Sequence, residues 1–519
     1  MLDTGLLVRS QLIHSNFQIF LRFAQLFLLL LGLSTIWFAH HPPMIDVPQH
    51  AAQVALLNDL LRGKSAWSQL VWINLWTPYL LGYALLLPLV QIFSIATAIK
   101  LLLSAAYVCF VAGCFLLRRK FGSDEGLDIY AAVGFFGFAY YWGFLTFVVA
   151  APLALAFVLL SIRLTEKPSF ARALAVFIAG LLLLISHGLA FAFAFLIGGA
   201  LCCLSWVSTR LSLWPAAPFL GLSLCTAIYM WWSRATEADQ GAQWSLDFKP
   251  EWGLVRLSGI SLSPFTGNLS SGPNNLVYAE CFTILVLAPW IMGLRIGLTR
   301  KERLIPLIIT LLIMLAVPSE AANTAFLYER FGLFLLPVYA WAFEPLQAPG
   351  APLKTTRRYR LGQLAIVAAS AWVLGTNAVH SWNFGREQRG IDSTIERMDE
   401  GQRALMLVFD HASAGAANRD VWVHYGAWYQ AERRGFVDFN FGWFAPMIVR
   451  FRRELVPPIE PGFEWNAGDF DWVRHRGADY KYFFVRGRAP DSIFAQAECP
   501  PVPIWHGDSW TIFEQKPCR

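Results

Sequence analysis

Residues 20–50 read FLRFAQLFLLLLGLSTIWFAHHPPMIDVPQH. Phe20 to Ala39 is apolar and long enough to cross a bilayer, which takes about 20 such residues. The run stops at His40, and Pro42, Pro43 and Pro48 follow within the next few positions. Proline favours extended or turn backbone, so His40 to His50 reads as a shaped loop at a membrane surface rather than more helix. Asp46 sits between Pro43 and Pro48, with His40, His41 and His50 close by. A carboxylate at the mouth of a membrane protein is costly to bury and tends to be functional.

The whole chain fits this start. It has 519 residues, 56% hydrophobic and only 15% charged, with a mean hydropathy of +0.47. A soluble domain carries roughly 25% charged residues. The net charge of +6 does not argue for nucleic acid, because the basic residues lie in short loops between apolar runs, where they report topology. No small-residue cleavage site follows the first apolar run, so that run is expected to be an uncleaved span.

Span counting has one ambiguity. Residues 77–93 and 96–117 are both apolar enough to cross. If both did, Arg118-Arg119-Lys120 would fall outside, against the positive-inside rule. Reading 77–93 as a membrane-surface or re-entrant helix places every later basic loop on the cytoplasmic side: Arg163 to Arg172, Arg210, Arg295 to Arg303 and Lys354 to Arg360. Further spans are expected near 127–142, 145–163, 172–187, 188–207, 213–232, 278–296, 304–317, 329–346 and 361–380, about eleven in all. The fold class is therefore an α-helical polytopic membrane protein. It is expected in a bacterial cytoplasmic membrane, with its N-terminus on the cytoplasmic side and its C-terminal domain outside, in the periplasm. Outer loops fall at 40–95 and 233–277. Pro48 to Leu61 reads as an amphipathic helix, and Trp67, Trp72 and Trp76 read as an interfacial belt.

Residues 381–519 form a separate outward domain by composition, beside a transmembrane module of 1–380. The tail has mixed charge and many aromatics, and no span-length apolar run. Ser393 to Leu405 is expected to be helical. Leu405 to Phe409, Val421 to His424, Tyr480 to Val485 and Trp510 to Phe513 read as strands, which makes a small α/β or α+β domain. Six of the eight cysteines lie in apolar runs as packing residues. Cys499 and Cys518 lie in the tail and could pair in an oxidising compartment.

Under this topology the polar clusters face one side. They are the Asp46 loop, Ser186-His187-Gly188 between two apolar runs, and Tyr328-Glu329-Arg330-Phe331 at the start of a late span. Each has a plain structural reading as well. Asp46 could cap the helix that follows. Arg330 could pair with Glu329 or snorkel to headgroups. His187 could join two helices by a hydrogen bond. His40, His41, Asp46 and His50 together could hold a divalent metal, though their spacing matches no defined site; no metal is required.

The chain resembles the polyprenyl-phosphate-dependent glycosyltransferases of the GT-C fold class. The resemblance rests on the acid in DVPQH, the span ending in LLRRKFG, the arginine of YERF and the soluble tail. The tail segments YQAERRGFVDFNF and GADYKYFFVRG are similar to those of uncharacterised bacterial members. Where relatives carry two adjacent acids in the first loop, this chain has one, and it has no WWDYG-type motif. The resemblance implies a sugar donor on a polyprenyl phosphate and a lipid, glycan or protein acceptor outside the cytoplasm. The leaving phosphate is a weak base and needs charge stabilisation, which an arginine supplies. The attacking hydroxyl needs one base. This is less than the two carboxyls of a glycoside hydrolase. Asp46 is then the base of an inverting transfer. Arg330 is the phosphate clamp, and His50, His187, Glu329, Tyr328 and His41 are substrate-binding candidates. Two other classes fit the bulk properties. A transporter or flippase of lipid-linked substrates would place polar groups at mid-span and show repeats, which are not seen here. A non-enzymatic envelope assembly protein would tolerate changes at Asp46.

Overall fold

Runs of leucine, phenylalanine and alanine without charge build long helices here. In the computed structural model five among the described residues are long and apolar enough to cross a bilayer: Asn16–Trp37, Ile95–Phe121, Leu145–Glu166, Gly188–Trp206 and Arg357–Glu387. The described residues are 2–209, 214–238, 253–269, 274–321, 324–345, 354 and 356–517. Residues 239–252 and 270–273 of the expected outer loop, together with Arg210 and Cys518, lie outside them. Ala217–Ala238, of 22 residues, fills the expected span near 213–232, and the remaining expected spans are shorter or divided. Residues 127–142 split into Tyr130–Phe135 and Phe138–Trp142. The break falls at Gly137, where a Cβ would come within 2.3 Å of the Ser263 carbonyl oxygen. The helix within 77–93 is Leu80–Leu89. Its ten residues give about 15 Å, half the thickness of a hydrocarbon core.

Leu145–Glu166 packs against Ile95–Phe121, Phe170–Leu184 and Gly188–Thr209. Its 22 residues make about 33 Å of helix, so its two ends mark two faces of the molecule. At the Glu166 end the charged loops meet. Lys120 pairs with Glu166. Arg118 donates to both oxygens of Asp128 at 2.9 and 3.0 Å. Arg303 reaches Glu344 at 2.9 Å, and Arg300 donates to the Lys120 carbonyl at 3.1 Å. The basic loops at 118–120 and 295–303 thus share one face. The Leu145 end adjoins the Asp46 loop.

The tail holds a five-stranded sheet in the order Phe436–Val437, Arg403–Val408, Tyr482–Arg486, Trp510–Glu514, Val502–Gly507. The first three strands are parallel and the last two join antiparallel. Arg403 closes one edge with a paired contact to Asp438 at 2.6 and 2.7 Å. Two elements depart from expectation. The helix expected at Ser393 to Leu405 is Arg389–Ile395, ending before Gly401, whose φ of +68° breaks the run ahead of the strand. Val421 to His424, β-branched and aromatic, forms turns that lead into Ala427–Arg433; it packs over the sheet instead of joining it. Cys499 is disulfide-bonded.

The tail and the first loop are joined by backbone. Val71–Ile73, inside the tryptophan-rich stretch, pairs antiparallel with Val449–Phe451. Trp67 and Trp72 donate to the carbonyls of Arg434 and Phe451. They serve the docking of the tail rather than a membrane belt. Only Trp76 faces aromatic neighbours of the helix region, Tyr229 and Trp232, each at 5.9 Å. The helix expected to be amphipathic is Val47–Leu61, and it is buried over nearly all its length. The tail covers its polar face and binds it. Gln53 donates to the Val449 carbonyl at 3.1 Å and accepts from its N–H at 2.9 Å.

Candidate active site

Asp46 precedes the Val47–Leu61 helix, and its φ and ψ are helical, so its side chain makes no capping bond. The capping role is excluded by this geometry. Backbone bonds fix the loop instead. The N–H groups of Ile45 and Asp46 donate to the carbonyls of Tyr141 and Trp142 at 3.2 and 2.9 Å. Gly143 makes that approach feasible. Its φ is +91°, and a Cβ there would lie 2.7 Å from the Asp46 nitrogen. The carboxylate is left nearly buried. Burial pushes its pKa up to about 8, with Arg330 pulling down and Glu464 adding a push.

Arg330 lies in the short turn Glu329–Phe331. Its Nε donates to the Phe326 carbonyl at 3.1 Å and its Nη2 to that of Ala325 at 2.8 Å. The guanidinium stacks on Phe144 at 3.6 Å and hydrogen-bonds Tyr79. Phe326 holds a φ of +57°, a strained value for a bulky residue, and its ring packs on Trp142 at 4.1 Å. Phe144 and Trp142 belong to the segment that holds Asp46. One short stretch, 142–144, thus positions both the acid and the cation.

A second imidazole enters from the tail. His424 Nε2 lies 3.6 Å from Asp46 Oδ1. Its tautomer follows from its neighbours. The Phe441 N–H donates to Gln49 Oε1 at 3.1 Å, which turns the Gln49 amide nitrogen toward His424 Nδ1 at 3.4 Å. Nδ1 accepts, so Nε2 carries the hydrogen and faces Asp46. Burial holds the pKa of His424 down at about 3, so it is neutral. Glu464, whose carboxylate accepts from the Gly462 N–H at 2.7 Å, is also within electrostatic reach of Asp46. Neither residue stands out in the sequence. Both lie in the polar tail, where a histidine or glutamate is ordinary.

The other sequence candidates divide. His50 is buried in the Val47–Leu61 helix, with Nδ1 2.7 Å from the Tyr83 hydroxyl. His187 accepts from the Leu189 N–H at 3.2 Å, beginning the next helix, and its ring stacks on Tyr79 at 5.0 Å. Through Tyr79 it borders Arg330. Tyr328 and Glu329 turn elsewhere. Tyr328 lies under the Arg256 guanidinium at 3.6 Å, and Glu329 accepts from Ser319. His41 does not join Asp46. It meets Asp392 at 3.1 Å and Glu432 at 2.8 Å. The four-residue metal group considered from the sequence is thus divided, with His40 and His41 on one side and Asp46 and His50 on the other. Among the described residues, metal-ligating spacing is found at His40, His41 and Asp392.

No protein-family model matches the sequence, and no curated protein matches it. Solved structures do. ArnT from Cupriavidus metallidurans, solved bound to undecaprenyl phosphate, superposes with a TM-score of 0.50 at 10% identity, over 96% of this chain and 98% of that one. The fold is GT-C. The arabinofuranosyltransferase AftD from mycobacteria aligns over 96% of this chain at 16% identity and a TM-score of 0.49. This chain spans about two fifths of the length of AftD, 40%. The GT-C helices place the Asp46 loop and the 142–144 segment at one face, beneath the tail.

Proposed function

We propose that the chain is an integral-membrane glycosyltransferase that moves a sugar from a polyprenyl phosphate to an acceptor outside the cytoplasm, with inversion. One observation carries this reading. A nearly buried carboxylate that caps nothing, Asp46, lies within electrostatic reach of an arginine braced by backbone carbonyls, Arg330. In that role Arg330 binds the donor phosphate, with Tyr79 orienting its free edge. Asp46 takes the proton of the acceptor hydroxyl. His424 donates toward the carboxylate and keeps it aligned. The undecaprenyl phosphate held by the similarly folded ArnT supports a polyprenyl donor. The basic loops gathered at the opposite face support a cytoplasmic location for that face and an outer location for Asp46.

The test is mass spectrometry of lipids that co-purify with wild type and with Arg330→Ala. A polyprenyl phosphate, free or glycosylated, present in wild type and lost from the variant is the expected result. Bulk phospholipid alone in both would overturn the donor assignment.

A further inference from the structure

The loop that leaves the first span and the helix that opens the tail meet at a cluster the proposed reaction does not use. His40 Nδ1 lies 3.4 Å from Asp392 Oδ2, and His41 Nδ1 lies 3.1 Å from Asp392 Oδ1. One ligand atom from each of the three residues lies within 4.8 Å of the other two. A tetrahedral ion with bonds of about 2.0–2.1 Å keeps its donor atoms about 3.3 Å apart. Each histidine lies near that spacing from one oxygen of Asp392, His40 from Oδ2 and His41 from Oδ1.

The surroundings are those of a metal-bound imidazole. The other nitrogen of His41, Nε2, is 2.8 Å from Glu432 Oε1. A carboxylate on the far nitrogen is the usual arrangement behind a histidine ligand; the near nitrogen, 3.1 Å from both Asp392 Oδ1 and the Tyr425 hydroxyl, gives up its hydrogen when an ion binds. Trp428 stacks on the His41 ring at 3.8 Å and 18°, fixing its plane. The Gln388 side-chain amide, in the orientation that satisfies both its ends, holds the loop backbone, its oxygen accepting from the His40 and His41 N–H groups at 2.8 and 3.2 Å. His41 is fully buried and Asp392 nearly so, while His40 is half exposed. The open side at His40 gives an ion its path in and a water its fourth position.

We propose that His40, His41 and Asp392 bind a zinc ion that clamps the tail onto the membrane module. Two imidazoles and a carboxylate form a donor set suited to zinc and poor for calcium or magnesium, which take oxygen ligands. The ion's place is between the first loop and the helix that opens the tail, Arg389–Ile395, which makes it a clamp between the two. The inference does not rest on the transferase reading.

The experiment uses the full chain, purified in nanodiscs through a tag free of histidine and dialysed against zinc-free buffer. Elemental mass spectrometry is expected to find about one zinc per chain, and a strong chelator is expected to lower the melting temperature. His40→Ala, which alters a half-exposed ring, is expected to lose the zinc and the response to chelator. Glu432→Gln, which touches no ion, is expected to weaken zinc binding by about 10–100-fold. A wild-type chain without zinc, whose melting is unmoved by added zinc or chelator, would overturn the proposal. So would zinc retained in His40→Ala and in Asp392→Asn.

Discussion

His424 Nε2 faces Asp46 Oδ1 across 3.6 Å, and the two come from opposite ends of the chain. The gap is just beyond hydrogen-bond length, and a small closure upon substrate binding would complete the bond. His424→Ala removes a donor that favours the ionised carboxylate. Turnover is expected to fall about tenfold or more, with the pH profile displaced toward alkaline values. Gln49→Leu, which frees the His424 tautomer, is expected to give a smaller effect of the same sign. Steady-state rates across pH check both.

With Asp46 as the proposed base, its carboxyl, pushed up to about 8 by burial, would set the acid limb of the reaction. A base works only when deprotonated, so the rate is expected to rise with pH and reach half its plateau near 8 in the free enzyme. Asp46→Asn is expected to lose activity by about 10²–10⁴-fold. The stability effect has the opposite sign from that of a salt-bridged acid. The folded state holds a proton that the unfolded state releases above about 4, so stability falls as pH rises from there through 8. Asp46→Asn is therefore expected to melt no lower than wild type at pH 8. A melting point well below wild type there would count against a buried, poorly ionised acid.

Arg330→Lys tests geometry apart from charge. The guanidinium spans the Ala325 and Phe326 carbonyls, Tyr79 and the Phe144 ring at once. A lysine keeps the charge but not the planar fork. It is expected to leave donor affinity close to that of Arg330→Ala, measured as retained lipid. Near-normal retention would show that a point charge suffices.

Gly143→Ala places a Cβ 2.7 Å from the Asp46 nitrogen on a backbone with φ of +91°. The expected cost is about 1–3 kcal/mol. It is read as a lower melting temperature together with lost turnover, since the displaced loop carries the proposed base.

Gln53→Leu removes the side chain that pairs with both backbone groups of Val449. Each buried group left unpaired costs about 1–3 kcal/mol. Limited proteolysis is expected to release the tail from the variant faster than from wild type.

Asp46 and Arg330 stand out in the sequence because a charge at the edge of an apolar run is conspicuous and expensive to bury. His424 and Glu464 do not, since the tail is polar and only the docking of Val449–Phe451 on Val71–Ile73 carries them to the loop. The same docking explains two misreadings. Trp67 and Trp72 look like interfacial residues until the strand beside them is known. The Val47–Leu61 helix looks two-faced until the tail covers its polar side. Val421 to His424 has strand composition, yet the sheet already has its neighbours in place, and the segment turns over it instead. The spans were counted by length, but Gly137 divides one of them for a close contact with Ser263 that composition does not announce.

The pairing of Gln49 with His424 joins residues 375 positions apart. It has a consequence in time. A nascent chain inserts its first loop, with Asp46, long before His424 has been synthesised. Until the last segment has been made and folded onto that loop, the carboxylate lacks its aligning partner. Catalytic competence would then arrive at the end of biogenesis, and half-made chains would be kept silent among substrates that share their membrane.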